Sequence, residues 1–170
     1  INGSSGTGKE MSARYIHDNS KQAAGNFIVI NCSVSDYDEL DRILFGVENG
    51  EGLQEVGALE NANGGTIYLD EVAEMPLELQ GKLLKFLVEK TVIRRGSKKK
   101  LGVDLRVISS TNTNLSEKIK SRKFREDLFH RLSVVTLKIP NLNDRIDDIP
   151  ILAKFFVEKL SSTNGLAKRE

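Results

Sequence analysis

The sequence predicts an α/β protein of three layers, in which a parallel sheet lies between two layers of helices. Three observations support this fold class. Short apolar runs alternate with amphipathic stretches of helical period along the 170 residues. Polar residues follow several of these runs directly, which places reactive side chains at the carboxyl ends of strands. A glycine-rich loop precedes the first predicted helix, as it does in sheets of this class that bind nucleotides.

The first element is this glycine-rich loop, which has the spacing of a phosphate-binding loop. It consists of Gly3, Ser4, Ser5, Gly6, Thr7, Gly8, Lys9 and Glu10. Its glycines leave the backbone N–H groups open to a polyphosphate, and the helix predicted from Lys9 to about Asn19 directs its positive end at the same anion. Lys9 is expected to reach the β- and γ-phosphates. Glu10 stands where a Ser or Thr would hold Mg²⁺ in the general pattern. The alternative interpretation of the whole loop is a Gly/Ser-rich turn before an ordinary helix.

The next stretch predicts a strand, a helix and a loop. The apolar run Phe27–Asn31 predicts a strand covered on both faces, with Asn31 beside the phosphate-binding loop. Residues 36–45 predict an amphipathic helix. The glycines and glutamates of residues 46–56 predict a mobile, solvated loop.

A carboxylate pair forms the second feature with predicted chemistry. Asp70 and Glu71 end the apolar strand that begins at Thr66. Asp70 is expected to hold Mg²⁺, and Glu71 to orient or deprotonate an attacking water. The alternative is a strand followed by a helix cap, because Met75-Pro76 opens the next helix. The phosphate-binding loop upstream favours the metal site.

A helix over residues 77–90 and a hairpin over residues 91–104 lead to a third buried strand, residues 106–111. Asn112, at the end of that strand, can direct its amide at a terminal phosphate or at the attacking water. The competing interpretation is a helix-capping role for Asn112 or Asn114.

The last third of the chain contains two arginines of interest. Helices are predicted within residues 117–132, and Arg125 and Arg131 are their notable basic residues, although a lone surface arginine commonly makes no specific contact. A buried strand over residues 134–139 and a helix over residues 149–160 complete the prediction.

Composition limits the classes of function. The 25 basic and 24 acidic residues nearly balance, which argues against a surface built as a whole for nucleic acid. No apolar run is long enough to span a membrane. The one cysteine, Cys32, excludes an internal disulfide and fits a reducing compartment as a buried thiol.

These motifs together resemble the AAA+ domain of bacterial enhancer-binding proteins, the NtrC-type activators of sigma-54 RNA polymerase. The likeness covers nearly the whole chain and rests on the phosphate-binding loop with Glu10 after Lys9, Asp70-Glu71 before Met75-Pro76, the run Phe124–Leu132, and Asp148-Ile149-Pro150. It implies a P-loop NTPase core over residues 1–140, with a truncated first strand, and the start of a helical lid over residues 141–170.

The resemblance also implies roles for the candidate residues. It implies a cytoplasmic ATPase that uses ATP and Mg²⁺ and works as a homo-oligomeric ring, usually a hexamer. Asn31 matches the family's switch residue, which holds the glutamate matching Glu71 away from the water. Asn112 matches its first sensor residue. Arg125 and Arg131 match the arginines that are supplied to the ATP of the neighbouring subunit.

The resemblance further implies that this chain is a piece of a longer response regulator. A receiver domain before it would pair with a sensor kinase, and a helix-turn-helix after it would bind DNA. Typical members carry Gly-Ala-Phe-Thr-Gly-Ala where this chain has residues 46–56, and that tip engages sigma-54. The loss is similar to the NtrX branch, so we expect an NtrX-like transcription regulator that hydrolyses ATP and does not engage sigma-54. The alternatives are an ATP-dependent assembly module with little turnover, and another AAA+ machine such as a clamp loader.

Overall fold

The computed structural model describes residues 1–34, 36–49 and 52–164, and the chain divides into two units, Ile1–Ile139 and Pro140–Glu170. The strands are β1 (Phe27–Asn31), β2 (Gly46–Asn49), β3 (Gly52–Val56), β4 (Thr66–Asp70), β5 (Thr91–Ile93), β6 (Lys100–Gly102) and β7 (Arg106–Ser109). The helices are α1 (Lys9–Asp18), α2 (Tyr37–Phe45), α3 (Ala58–Asn61), α4 (Leu77–Glu89), α5 (Leu115–Lys120), α6 (Glu126–Leu132) and α7 (Asp148–Asn164).

A parallel sheet organises the first unit, as predicted. Its strands lie in the order β1-β4-β7, and Asn31 pairs with Asp70 at the ends of two neighbouring strands. Asn2 forms parallel bridges to both Thr111 and Lys138, which adds two short segments beyond β7. The carboxyl ends of the central strands therefore lie at one edge, next to the loop that follows Asn2.

Alternating side chains of β4 explain the three layers. Ile67 and Leu69 belong to the larger buried cluster, which α2, α4 and α6 also supply. Tyr68 lies on the opposite face, in a smaller buried cluster with Ala13 of α1 and Ile108 of β7. Both faces of β4 are thus covered, which confirms the predicted α/β fold with helices on either side of the sheet.

Two predicted strands differ from expectation because apolar content does not tell a central strand from an edge. Val29 of β1 is 39% exposed, so β1 is not covered on both faces. Residues 134–139 do not form a buried strand: Val134 and Val135 are 79% and 76% exposed. Among the described residues, this segment pairs with the sheet only around the bridge between Asn2 and Lys138.

The segment predicted as a mobile loop, residues 46–56, contains β2 and β3, which pair as an antiparallel hairpin over residues 46–49 and 52–56. Gly50 and Glu51 lie outside the described residues. The hairpin is bonded to the segment that follows β5, because the Glu48 N–H donates to the Arg95 carbonyl at 2.9 Å. Arg94 binds Glu48 at 2.9 Å and Glu60 of α3 at 2.7 Å. Two of the glutamates that suggested a solvated loop, Glu48 and Glu55, are therefore partners of arginines.

The remaining predicted helices are confirmed with small shifts of their ends, and the hairpin of β5 and β6 is confirmed as well. None of the described helices has both the length and the apolar content that crossing a bilayer needs.

The packing of Gly65 generates a stability prediction. A Cβ on Gly65 would overlap the backbone oxygen and nitrogen of Asn26, whereas a Cβ on Gly102 would meet nothing within 4 Å. Gly65→Ala should lower the free energy of unfolding by about 1–3 kcal/mol, the usual cost of an overpacked site. Gly102→Ala, the control, should stay within about 0.5 kcal/mol of the parent. Urea unfolding measures both, and equal midpoints for the two variants would contradict this packing.

Candidate functional site

The glycine-rich loop turns sharply into α1 through two left-handed glycines. Gly6 has φ 77° and Gly8 has φ 91°, a region that residues with a Cβ enter only with strain. Gly8 is the N-cap of α1 and makes no side-chain capping bond. The Thr7 hydroxyl donates to the Ser4 carbonyl at 2.8 Å and fixes the loop from within. The loop therefore presents backbone at the positive end of a ten-residue helix.

Lys9 joins this loop to the end of β4. Its side chain is 8% exposed, and Nζ donates to the Gly3 carbonyl at 3.1 Å and to the Ser4 carbonyl at 3.4 Å. The same Nζ lies 3.0 Å from Oε1 of Glu71, whose side chain is 18% exposed. An ammonium with so little access to water is held at a defined place between the loop and a carboxylate.

Glu71 is held in a strained backbone conformation. Its φ and ψ are both 51°, the left-handed region, which costs a residue with a Cβ about 1–2 kcal/mol. Its second carboxylate oxygen, Oε2, accepts a hydrogen bond from the Asn112 N–H at 2.9 Å. Backbone strain of this kind clusters at functional sites. The carboxylate is thus fixed between Lys9 and the segment after β7.

Asp70 is bound by two buried hydroxyls that the sequence analysis did not identify. The Tyr68 hydroxyl lies 2.9 Å from Oδ1 of Asp70, and the Ser110 hydroxyl donates to the same oxygen. Burial is the main cause that raises the pKa of Tyr68 above its ordinary value, so the phenol is a protonated donor at neutral pH. The sequence contained one signal of this contact: Tyr68 lies two positions before Asp70, so both side chains are on the same face of the strand.

Cys32 is a buried residue hydrogen-bonded to the backbone of Asp70. Its backbone N–H donates to the Asp70 carbonyl at 2.8 Å. Burial first, and then the charges of Asp70 and Glu71, raise the pKa of the thiol to about 12. Cys32 is therefore the inert buried thiol that the sequence predicted.

Three further candidate residues lie near this edge of the sheet with contacts of their own. The Asn31 side chain accepts from the Ser33 N–H at 2.9 Å, and within the described part of the chain Asn31 is not among the partners of Glu71. Asn112 reaches Glu71 through its backbone, while its side chain accepts from the Thr113 hydroxyl. Asn114 caps α5, which confirms the capping alternative for that residue.

Glu10 and the two arginines lie at the surface. The Glu10 carboxylate is exposed and pairs with Arg14 at 3.6 Å. Arg125 forms a two-point contact with Asp127 at 3.0 and 2.7 Å. Arg131 is exposed on α6. Among the described residues, no hydrogen bond or ion pair connects Arg125 or Arg131 to Lys9.

Buried Gln80 positions the start of α6. Its amide donates to the Met75 carbonyl at 2.8 Å and to the Lys123 carbonyl at 3.1 Å, and its oxygen accepts from the Arg125 N–H at 2.9 Å. The backbone that carries Arg125 is therefore bonded, through one fully buried side chain, to the segment that follows Glu71.

The protein groups at this edge of the sheet suit a metal ion that is bound mainly by water and phosphate oxygens. The described residues contain no group of three His, Cys, Asp or Glu side chains that could hold a metal ion. Mg²⁺ is commonly bound through one or two carboxylates together with water and phosphate oxygens, and Asp70 supplies such a carboxylate.

The parallel sheet carries a glycine-rich loop that leads into α1, and Lys9 of that helix contacts Glu71, the carboxylate that follows β4. These features together define a P-loop NTPase of the AAA+ type. The chain belongs to the sigma-54 interaction domain family, whose model matches residues 1–138. This confirms the resemblance deduced from the motifs.

Named relatives agree with this assignment. The chain is 51% identical, over its full length, to the nitrogen assimilation regulatory protein NtrX of Azorhizobium caulinodans, and covers 38% of that protein. It is 48% identical, over 96% of its length, to the regulatory protein AtoC of Escherichia coli, and covers 36% of it. A crystal structure of NtrX from Brucella abortus in complex with ATP superposes on 97% of the chain with a TM-score of 0.88 and 47% identity, and the match covers 38% of that structure. The chain therefore spans well under half the length of these relatives.

Proposed function

We propose that this chain binds ATP with Mg²⁺ and hydrolyses it, as the central domain of an NtrX-like two-component transcription regulator. The observation that carries the proposal is the contact between Lys9 and Glu71, which joins a phosphate-binding loop to a carboxylate at a strand end. The similarity to an NtrX that binds ATP supports the choice of nucleotide.

The chain's own residues account for binding. Residues 3–8 supply backbone N–H groups and the positive end of α1 to the phosphates. Lys9 supplies a charge beside them. Asp70 supplies a carboxylate to Mg²⁺, and the metal, when bound, neutralises charge that develops on the phosphates.

Glu71 is the residue that acts on water in this proposal. A carboxylate next to the terminal phosphate can orient or deprotonate the attacking water. In the structure, its two oxygens are engaged by Lys9 and by the Asn112 N–H. A polyphosphate would compete with Glu71 for the Lys9 ammonium, so nucleotide binding would loosen one of the two contacts that hold the carboxylate. Asn31 and Asn112 remain proposed as the switch and sensor residues beside it.

Arg125 and Arg131 are proposed to act on the ATP of a neighbouring subunit. Both are exposed, and six residues separate them, which is about 9 Å of rise on a helix. Two arginines at that spacing can reach one triphosphate from outside the subunit that binds it. Arginines supplied in this way contribute about 10³–10⁵ to turnover in other NTPases. The ring that such a contact requires is part of the proposal, as are the receiver, sensor kinase, DNA and RNA polymerase contacts of the longer regulator.

The β2–β3 hairpin supports a regulator that does not engage sigma-54. Residues 46–56 lack the Gly-Ala-Phe-Thr-Gly-Ala tip and carry three glutamates. The Glu48 carboxylate binds Arg94, and Glu55 binds Arg42 of α2. These pairs, and the backbone hydrogen bonds that Gly46 and Glu48 make with Arg95 just after β5, hold the base of the hairpin against the domain. The ATP site would then drive self-assembly or DNA occupancy, and an assembly module with little turnover is the second candidate function.

Replacing Lys9 tests nucleotide binding. Lys9→Ala should weaken ATP binding by about 10- to 100-fold, because hydrogen bonds to charged groups contribute about 1.5–3 kcal/mol. Lys21→Ala, at an exposed position just after α1, is the matched control and should bind as the parent does. Calorimetric titration with ATP measures both, and urea unfolding verifies that both are folded. Equal affinity in Lys9→Ala and Lys21→Ala would refute the site.

Transplanting the hairpin tests the sigma-54 prediction within a working assembly. Residues 46–56 would replace the matching segment of an NtrC-type activator that captures sigma-54 in the presence of a transition-state analogue of ATP. We expect the chimera to keep ATP turnover and to lose capture, since acidic residues replace the apolar tip. The unmodified activator is the control. Capture at the parent level by the chimera would show that this hairpin is a divergent, working tip.

A further inference from the structure

Two buried hydroxyls, those of Tyr68 and Ser110, contact the proposed metal ligand Asp70 from the interior of the sheet. Tyr68 is fully buried, and Ser110 is 1% exposed. Tyr68 packs on the α1 side of the sheet, where its ring stacks on Phe27 with centroids 6.2 Å apart. The two hydroxyl oxygens lie 2.9 Å from each other, and both contact Oδ1 of Asp70.

The donor and acceptor capacities of these three groups give each contact a direction. An ionised carboxylate only accepts, so both hydroxyls can donate to Asp70 Oδ1. The Ser110 oxygen can then accept from the Glu71 N–H, which lies 3.4 Å away. Within the described residues, no hydrogen bond is made to the other carboxylate oxygen, Oδ2. Oδ1 of Asp70 thus accepts hydrogen bonds from buried groups, and Oδ2 can bind a metal ion.

A hydroxyl is not needed to fill this space. Tyr68 lies in an apolar cluster with Ala13, Ile108 and Phe27, where a phenylalanine ring would pack equally well. A buried hydroxyl must find a partner, because leaving it unpaired costs about 1–3 kcal/mol. Here the partner is the Asp70 carboxylate, so the orientation of that carboxylate is the property that the hydroxyls can control.

We propose that Tyr68 and Ser110 are positioning residues that fix the rotation of the Asp70 carboxylate and leave Oδ2 as its metal-binding oxygen. This inference rests on the proposed function of the site, because it assumes that Asp70 meets the cation that accompanies ATP. The two hydroxyls should therefore affect the affinity for the metal ion and leave the affinity for the nucleotide unchanged. Outer groups that orient metal-binding carboxylates change metal affinity by about 10- to 100-fold.

The test separates metal affinity from nucleotide affinity. Tyr68→Phe and Ser110→Ala each remove one hydroxyl, and Tyr15→Phe removes a hydroxyl from a side chain that is 70% exposed on α1. ATP affinity is measured by calorimetry in EDTA, and Mn²⁺ affinity by electron paramagnetic resonance of the protein with ATP bound. Urea unfolding verifies that each variant is folded, and either hydroxyl variant suffices if the other does not fold.

We expect ATP affinity in EDTA to change less than twofold in all variants. Mn²⁺ affinity should fall about 10-fold in Tyr68→Phe and in Ser110→Ala and should not change in Tyr15→Phe. Mn²⁺ affinity within twofold of the parent in a folded hydroxyl variant would overturn the inference and leave the proposed function standing. A parent chain that binds no ATP, with or without the metal, would overturn both.

Discussion

The contact between Lys9 and Glu71 is the interaction on which the rest of the site depends. It connects the start of α1 to the end of β4, two points that are distant in sequence and adjacent only because β4 is central in the parallel sheet. Both side chains are largely withdrawn from water, so neither charge can be left without a partner at low cost. The loop carbonyls of Gly3 and Ser4 and the Asn112 N–H complete the coordination of the pair.

Buried polar side chains extend this arrangement outward from the strand end. Tyr68 and Ser110 hold Asp70 from beneath, and Gln80 bonds the segment after Glu71 to the start of α6. Such groups are costly unless each finds its partner, and here they are satisfied within the fold. Gln80 thereby connects the backbone that follows the proposed catalytic carboxylate to the backbone of Arg125, one of the two proposed arginines.

The sequence predicted the elements that depend on local pattern and missed those that depend on distant partners. Apolar runs ended by polar residues located Asp70, Glu71 and Asn112, because parallel strands bring such ends to one edge. The hairpin at residues 46–56 was mistaken for a mobile loop because its stabilising arginine, Arg94, lies 46 residues from Glu48. The link between Tyr68 and Ser110 depends on the register of β4 against β7, and no single strand contains that information.

Replacing Glu71 tests the central claim most directly, namely that the carboxylate held by Lys9 acts on the attacking water. Glu71→Gln keeps the size of the side chain and removes its charge, and Glu74→Gln, which alters an exposed carboxylate paired with Lys118, is the matched control. ATP affinity and steady-state ATP turnover would be measured for both variants and the parent. The account predicts that Glu71→Gln binds ATP as the parent does and loses about 10²–10⁴ in turnover, the usual contribution of a positioned general base, while Glu74→Gln retains parental turnover. Parental turnover in Glu71→Gln would contradict it.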